Sequence, residues 1–296
     1  LTKPHITFID WIIYFSLAII WGSSFILIHK GLDYFSPIVV ATLRVSIAGV
    51  VLTPFAIKGL RNLTRRQQII SILMGLTGSG VPSFLYATAQ THIQSGVAGV
   101  LNSLTPIFIL INGWLFFKIK YSTQQSLGIF LGFLGATGII IFSHPQNSTV
   151  SNSYFFGFLI VVATFLYGLS NQILINYLKG LDVWLYTPVA FFYMGLAAMG
   201  ILFSTDFVSV VKSNDEAWYG IAYIAILSVF GSAVGMILYN QLAHRTGVAF
   251  SGTVTYLMPL IALAWSYSAN EYIGIEHLIA MLFILGGVYM VKKSSK

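Results

Sequence analysis

The chain has 296 residues, of which 57% are hydrophobic and only 8% charged, where a soluble domain carries about 25% charged residues. This composition excludes a water-soluble globular domain and makes lipid the solvent. The net charge of +7 would indicate nucleic acid only if the basic residues formed a patch; they lie instead in the short gaps between apolar runs, and no nucleic-acid partner is expected. The absence of cysteine carries no information about redox compartment.

A bilayer core is crossed by about 20 apolar residues of helix. Runs of that kind fall near 9–29, 36–57, 67–91, 94–117, 123–142, 154–178, 182–204, 217–243, 247–269 and 274–291. The sequence therefore predicts an all-α integral membrane protein with ten transmembrane helices and no room between them for a soluble domain. The first run is too long for a cleaved signal and has a counterpart in the second half, so it reads as a span. The sequence begins at Leu1, so an initiator residue is expected upstream of it.

Basic residues set the orientation. With the N-terminus in the cytoplasm, the inner segments hold Lys3, Lys58, Arg61, Arg65, Arg66, Lys118, Lys120, Lys179, Arg245, Lys292, Lys293 and Lys296, and the outer loops only Lys30 and Lys212. Most acids lie outside: Asp33, Asp206, Asp215, Glu216, Glu271 and Glu276. Both termini are expected in the cytoplasm. Asn147-Ser148-Thr149 matches a glycosylation pattern that chance explains equally well, and it matters only in a eukaryotic secretory membrane.

Slid forward by 153 positions without a gap, Gly75–Pro106 lies on Ser228–Pro259, with identities at Gly78/Gly231, Ser79/Ser232, Val81/Val234, Leu85/Leu238, Tyr86/Tyr239, Gly99/Gly252, Leu104/Leu257 and Pro106/Pro259. An internal repeat of this kind divides the chain into two units, 1–148 and 149–296. Each unit holds five helices. Five is odd, so the second unit enters the membrane upside down, the plan of many secondary transporters with a substrate site between the halves. Two similar halves of opposite sense give two states of similar energy, one open to each side.

The repeat also carries a resemblance. Trp21-Gly22-Ser23-Ser24-Phe25, Arg44 within Ala41-Thr42-Leu43-Arg44, Tyr86, the run Gly96–Pro106 and Leu131-Gly132-Phe133-Leu134-Gly135 resemble, in order and spacing, the ten-helix branch of the drug/metabolite transporter superfamily with two EamA-type repeats. Tyr167-Gly168, Tyr239, the run Gly247–Pro259, Glu271 and Leu285-Gly286-Gly287-Val288 echo it in the second half. The resemblance implies a multi-pass protein of a bacterial inner membrane that exports small metabolites, amino acids first. Many family repeats carry a Glu twelve residues after the helix-4 proline. Here Glu271 occupies that position in the second repeat and Lys118 in the first. Position 118 faces the cytoplasm and 271 the outside, so each charge suits its side and reads as an interfacial anchor.

Within the membrane, Arg44 is the principal charge, with Asp10 at the cytoplasmic lip of helix 1. A charge at depth is a functional candidate, because burying it unpaired costs several kcal/mol. Arg44 can bind a substrate carboxylate, bond backbone carbonyls at a helix break, or snorkel outward; its recurrence in family members with unlike substrates weighs toward a structural role. Asp10 reads as a helix-start residue. Ser16–Phe25 holds no carboxylate, against the pattern of the four-helix multidrug branch, which argues against proton-coupled cation export. One arginine is too few for a phosphate dianion, so sugar phosphates are disfavoured.

Neutral polar and aromatic residues remain. Ser79, Ser83, Tyr86 and Gln90 form one polar stripe at helical spacing, matched by Ser228, Ser232, Gly235 and Tyr239. Ser95, Asn102 and Pro106 share a face of helix 4, and Ser251, Thr255 and Pro259 a face of helix 9. Helix 6 adds Asn171 and Gln172. Polar groups in lipid must meet other helices or a wet cavity. Any single residue fits an interhelical hydrogen bond; the matched stripes together point to a cavity. The candidate substrate-binding residues are Trp21, Ser24, Ser79, Ser83, Tyr86, Gln90, Asn102, Asn171, Tyr239, Thr255 and Tyr256, with Tyr167 as a further aromatic wall. Pro106 and Pro259 are expected in mid-helix, and Pro82 and Gly235 at bends, as kinks or gates.

Gly128, Gly132 and Gly135 on helix 5 allow close helix packing and suit a scaffold or a weak dimer contact. No histidine–acid cluster lies at one depth and no phosphate-binding glycine loop follows a strand, so no enzyme, metal or cofactor is expected. The reading is a secondary transporter of small neutral or zwitterionic metabolites. The alternatives are a drug-efflux transporter and a non-transporting receptor.

Overall fold

In the computed structural model the described residues are 6–118, 122–142, 150–271 and 274–293. Lys3, Lys120, Lys296 and the Asn147-Ser148-Thr149 pattern lie outside them. Among the described residues there is no strand. Each apolar run of the sequence holds a helical segment: α1 (Phe8–Leu32), α2 (Pro37–Asn62), α3 (Arg65–Ala89), α4 (Ser95–Asn102 and Thr105–Phe117), α5 (Thr123–Phe142), α6 (Val150–Ile173 continued by Leu174–Leu178), α7 (Val183–Phe203), α8 (Ala217–Thr246), α9 (Val248–Ser251, Gly252–Tyr256 and Met258–Ser268) and α10 (Ile275–Lys293). A short helix, Phe207–Ser213, lies between α7 and α8.

Seven of these are long and apolar enough to cross a bilayer as single helices, and the two halves of α4, bent by 41°, make an eighth. α10 carries the shorter apolar stretch Ile275–Met290. The chain is an all-α, multi-pass membrane protein.

Short polar side chains start the helices. Asp10 accepts hydrogen bonds from the Thr7 N–H at 2.8 Å and the Thr7 hydroxyl at 2.7 Å, and also pairs with Arg245 Nε at 2.6 Å. It is a helix-start residue that ties the start of α1 to the end of α8. Thr64 and Gln67 form a capping box at the start of α3. Asp182 accepts from the Trp184 N–H at 3.0 Å and opens α7.

Interruptions in four helices obey the repeat; a turn at Ser23 in α1 and a π-stretch at Leu174–Leu178 in α6 have no such counterparts. α3 widens into a π-turn at Leu76–Gly80, and α8 does so at Leu227–Val234; the 153-residue shift carries 76–80 onto 229–233. α4 breaks at Ser103–Leu104, and α9 leaves its 3₁₀ stretch at Tyr256–Leu257, again 153 residues on. The prolines differ from expectation. Pro106 and Pro259 do not kink a continuous helix: each stands in the first turn after a break, as Pro82 does after its π-turn. In a first turn the missing N–H has no helical partner to lose, so proline restarts the helix at little cost. Gly235 follows the π-turn of α8 and packs against Trp21 Nε1.

The helix pairings also map onto themselves when the repeats are exchanged. α2 packs on α7, α5 on α10 and α4 on α9, while α1–α8 is mirrored by α6–α3. In the α2–α7 pair Gly49 faces Gly195, where a Cβ on Gly49 would lie 2.7 Å from the Gly195 Cα and 2.8 Å from the Phe191 carbonyl oxygen, and Gly59 comes closer still to the Leu185 carbonyl. The glycine face of α5 is taken by α10, where Gly135 meets the Ala280 carbonyl and Gly287 the backbone of Gly128 and Gly132. That face is an intrachain seam, not a free dimer contact.

Glu271 corrects the reading of an interfacial anchor. Its side chain is only 6% exposed. It accepts from the Ser95 N–H at 3.2 Å, the Ser95 hydroxyl at 2.8 Å, the Gly96 N–H at 3.4 Å and the Ser266 hydroxyl, with His29 Nε2 at 3.8 Å. A carboxylate placed on the open N–H groups of a helix start satisfies them and complements the helix dipole, so Glu271 stitches the second repeat to α4 of the first. Lys118, by contrast, is exposed and ends α4 in a left-handed conformation at φ 55°.

Two stability predictions follow from these contacts. Gly49→Val should lower the unfolding free energy in detergent by about 1–3 kcal/mol, the usual cost of overpacking, read as a drop in midpoint temperature. Glu271→Ala should leave buried donors unsatisfied and cost about 1–3 kcal/mol; Glu271→Gln, which keeps an acceptor, should lose less in the same thermal assay.

Candidate functional site

Between the two repeats lies a cavity with about 100 Å³ of room for water centres. One water needs about 10–15 Å³ by that measure, so the space suits several waters or one small metabolite. α1 contributes Trp21, Ser24, Phe25 and Ile28, and α6 contributes Tyr167, Ser170, Asn171 and Leu174. Both sets follow i, i+3, i+4, i+7 spacing, one face of a helix. They correspond one to one at an offset of 146. The offset also pairs Gly22 with Gly168, and these admit neighbours of the same kind: a Cβ on Gly22 would lie 2.7 Å from Ile261 Cβ, and one on Gly168 2.6 Å from the Phe108 carbonyl carbon. Phe108 and Ile261 are themselves repeat mates.

The interrupted helices supply the remaining walls. Met74, Gly78, Ser79 and Tyr86 come from α3; Gly231, Met236, Tyr239 and Asn240 from α8. Asn102 and Thr105 flank the break in α4, and Thr255 and Met258 that in α9. The breaks have a local use. Trp21 Nε1–H donates to the Gly231 carbonyl inside the π-turn at 2.9 Å, and the Ser170 hydroxyl donates to the Met74 carbonyl at 2.8 Å. Backbone carbonyls displaced from the helical ladder thus find partners in the walls.

Two aromatic pairs face the space. Trp21 and Tyr239 have ring centroids 5.2 Å apart, and Tyr86 and Tyr167 5.9 Å. These pairs are repeat mates, yet their polar tips differ. The Tyr86 hydroxyl donates to Asn102 Oδ1 at 2.7 Å, while the Tyr239 hydroxyl donates to Asn171 Oδ1 at 2.6 Å. Asn171 occupies the position that Phe25 holds in the first repeat, and Phe25 meets Tyr86 ring to ring at 5.7 Å.

Arg44 supplies the charge. It is buried, lines the cavity, and donates from Nε to the Ser232 hydroxyl at 2.8 Å. Among the described residues no carboxylate lies within 4.0 Å of it, and its terminal guanidinium nitrogens meet no hydrogen-bond partner. It neither snorkels to the surface nor bonds a backbone carbonyl. Ser79, the repeat mate of Ser232, lines the cavity with a buried hydroxyl that has no partner.

Of the sequence candidates, Trp21, Ser24, Arg44, Ser79, Tyr86, Asn102, Asn171, Tyr239 and Thr255 line this one cavity. Ser83, Gln90 and Tyr256 do not. Ser83 and Gln90 sit to one side of the line joining Ser79 and Tyr86. The Ser83 hydroxyl closes on the Ser79 carbonyl at 2.6 Å, and Gln90 is buried at the end of α3. Tyr256 stands at the break of α9 and packs against the main core. Sequence reasoning missed Ser170, Asn240 and the methionines 74, 236 and 258. Ser170 was within reach, since it repeats Ser24 inside Tyr167–Asn171; the methionines carry no polar signal. Among the described residues no three His, Asp or Glu side chains gather as a metal site.

The EamA-like transporter family model matches residues 9–141 and 154–292. The chain belongs to that family, and is a transporter of the EamA type. A relative from Archaeoglobus fulgidus described as an uncharacterized transporter is 30% identical over 47% of this chain and 49% of its own length, so that match spans about half of each protein. The uncharacterized inner membrane transporter YedA of Escherichia coli is 24% identical over 84% of this chain and 79% of its own. A protein of Streptantibioticus cattleyicolor described as a probable terminal-alkyne amino-acid exporter is 25% identical over 84% of this chain and 82% of its own. A solved crystal structure shares the fold with a TM-score of 0.64, at 17% identity and 95% coverage of both chains.

Proposed function

We propose that the protein is a secondary transporter that moves small neutral or zwitterionic metabolites, amino acids first, by alternating access between two inverted five-helix repeats, residues 1–148 and 149–296. The observation that carries this reading is the cavity between the repeats, which holds one unpaired guanidinium, no carboxylate and two facing aromatic pairs. A guanidinium with free terminal N–H groups matches a carboxylate in fork geometry. The faces of Trp21, Tyr86, Tyr167 and Tyr239 suit an ammonium or an apolar side chain. The unsatisfied Ser79 hydroxyl offers a further bond. Arg44 in this reading binds substrate, and the breaks at Pro82, Pro106, Gly235 and Pro259 are where the walls bend between states. The relative described as a probable amino-acid exporter supports the substrate class and the outward direction.

Purified protein in liposomes should carry radiolabelled amino acids without ATP. Arg44→Gln, which removes a charge-assisted bond of about 1.5–3 kcal/mol, should weaken apparent affinity by about one to two orders of magnitude. Tyr86→Ala and Tyr239→Ala should cut flux in folded protein. Normal transport by all three variants would remove the cavity from the mechanism, and binding without flux would favour a receptor. Orientation has its own check, because the chain has no cysteine. A single cysteine at Asn214 should react with an impermeant maleimide applied to intact cells, and one at Lys179 should not.

A further inference from the structure

A second concave site lies far in chemistry from the cavity, on the lipid-facing side where the start of α3 meets the end of α6. Arg65, Arg66, Ile69 and Leu73 of α3 line it, with Ile173 and Tyr177 of α6 opposite. Arg65, Ile69 and Leu73 follow i, i+4, i+8 spacing, so one line of α3 runs from charge into hydrocarbon. On α6, which runs the opposite way, Tyr177 lies nearer the charged end and Ile173 one turn deeper. Ile69 is 50% exposed, Leu73 49% and Tyr177 51%, so the apolar part of the groove is open to the bilayer and not closed by the protein.

The charged end is uncompensated. Among the described residues neither Arg65 nor Arg66 pairs with a carboxylate, and the first turn of α3 contains no acid. Two cations stand where a helix dipole already presents positive charge, an arrangement that disfavours the helix unless an anion is present. The positive-inside pattern puts both arginines at the cytoplasmic boundary, the level of the lipid phosphates.

We propose that this groove binds an anionic phospholipid, with Arg65 and Arg66 on the phosphodiester and an acyl chain along Ile69, Leu73, Ile173 and Tyr177. The guanidinium fork fits phosphate oxygens, and the two turns of exposed apolar wall fit a hydrocarbon chain, which neither inorganic phosphate nor a nucleic acid possesses. A basic mouth over an apolar slot between two spans is the chemistry of a headgroup attached to a tail.

The test uses the full chain in nanodiscs of phosphatidylcholine with and without phosphatidylglycerol. Phosphatidylglycerol should raise the unfolding temperature, and the lipid should be retained on the protein in native mass spectrometry. Arg65→Gln with Arg66→Gln should abolish both effects. Leu73→Trp keeps the charge and fills the slot, so it should also lose the retained lipid, and it serves where the double variant does not fold. Arg61→Gln removes one charge of the same kind on the preceding segment and should change neither. The proposal is overturned if Arg61→Gln loses as much as the double variant, if the groove variants retain phosphatidylglycerol like the parent, or if inorganic phosphate stabilises the protein as well as the lipid does.

Discussion

In hydrocarbon, every backbone N–H and C=O that leaves the helical ladder must find another partner inside the protein. That constraint governs where this chain can be irregular. Its π-turns in α3 and α8 and its breaks in α4 and α9 all border one cavity, where carbonyls meet side chains such as Trp21 and Ser170. The pairs α2–α7 and α5–α10 remain regular and close, glycine to glycine. Two regular, closely packed pairs beside an interrupted centre keep the irregular backbone away from lipid.

The repeat builds the cavity twice, and the departures from symmetry give it polarity. Trp21 and Tyr239 mirror Tyr167 and Tyr86, so the aromatic walls are shared. The polar fittings are not. Asn171 stands opposite the position of Phe25, Ser232 holds Arg44 while Ser79 has an unpaired hydroxyl, and only α2 carries a buried arginine. In the proposed function, a symmetric shell would allow two conformations of similar energy, and an asymmetric lining would let a small molecule with distinct ends bind in one sense. The ties at the two ends differ likewise: Asp10–Arg245 joins α1 to α8 at one end, and Glu271 caps α4 at the other. Each tie is charge-assisted and centres on a buried carboxylate, and both must be accommodated in any rearrangement of the helices around them.

Much of this was legible in the chain itself. Apolar length and scarcity of charge determined the number and place of the helices, because lipid tolerates little else. The 153-residue repeat identified the irregular centre, since only positions under equal geometric demand keep glycine, serine, tyrosine and proline together. Single-helix periodicity then placed Ser79, Tyr86 and Tyr239 on the faces that line the cavity. What it could not supply was contact between helices. Whether Ser83 turns to its own backbone, whether Glu271 meets lipid or the start of α4, and whether Arg44 finds Ser232 or a carboxylate depend on neighbours more than a hundred residues away in most cases. The sequence alone thus determined a ten-helix, twofold-repeated membrane protein with one deep cation. Only the tertiary structure decided which polar groups are satisfied and which are left open toward the cavity, because in a low-dielectric interior that outcome is settled by the packing of distant side chains rather than by the helix that bears them.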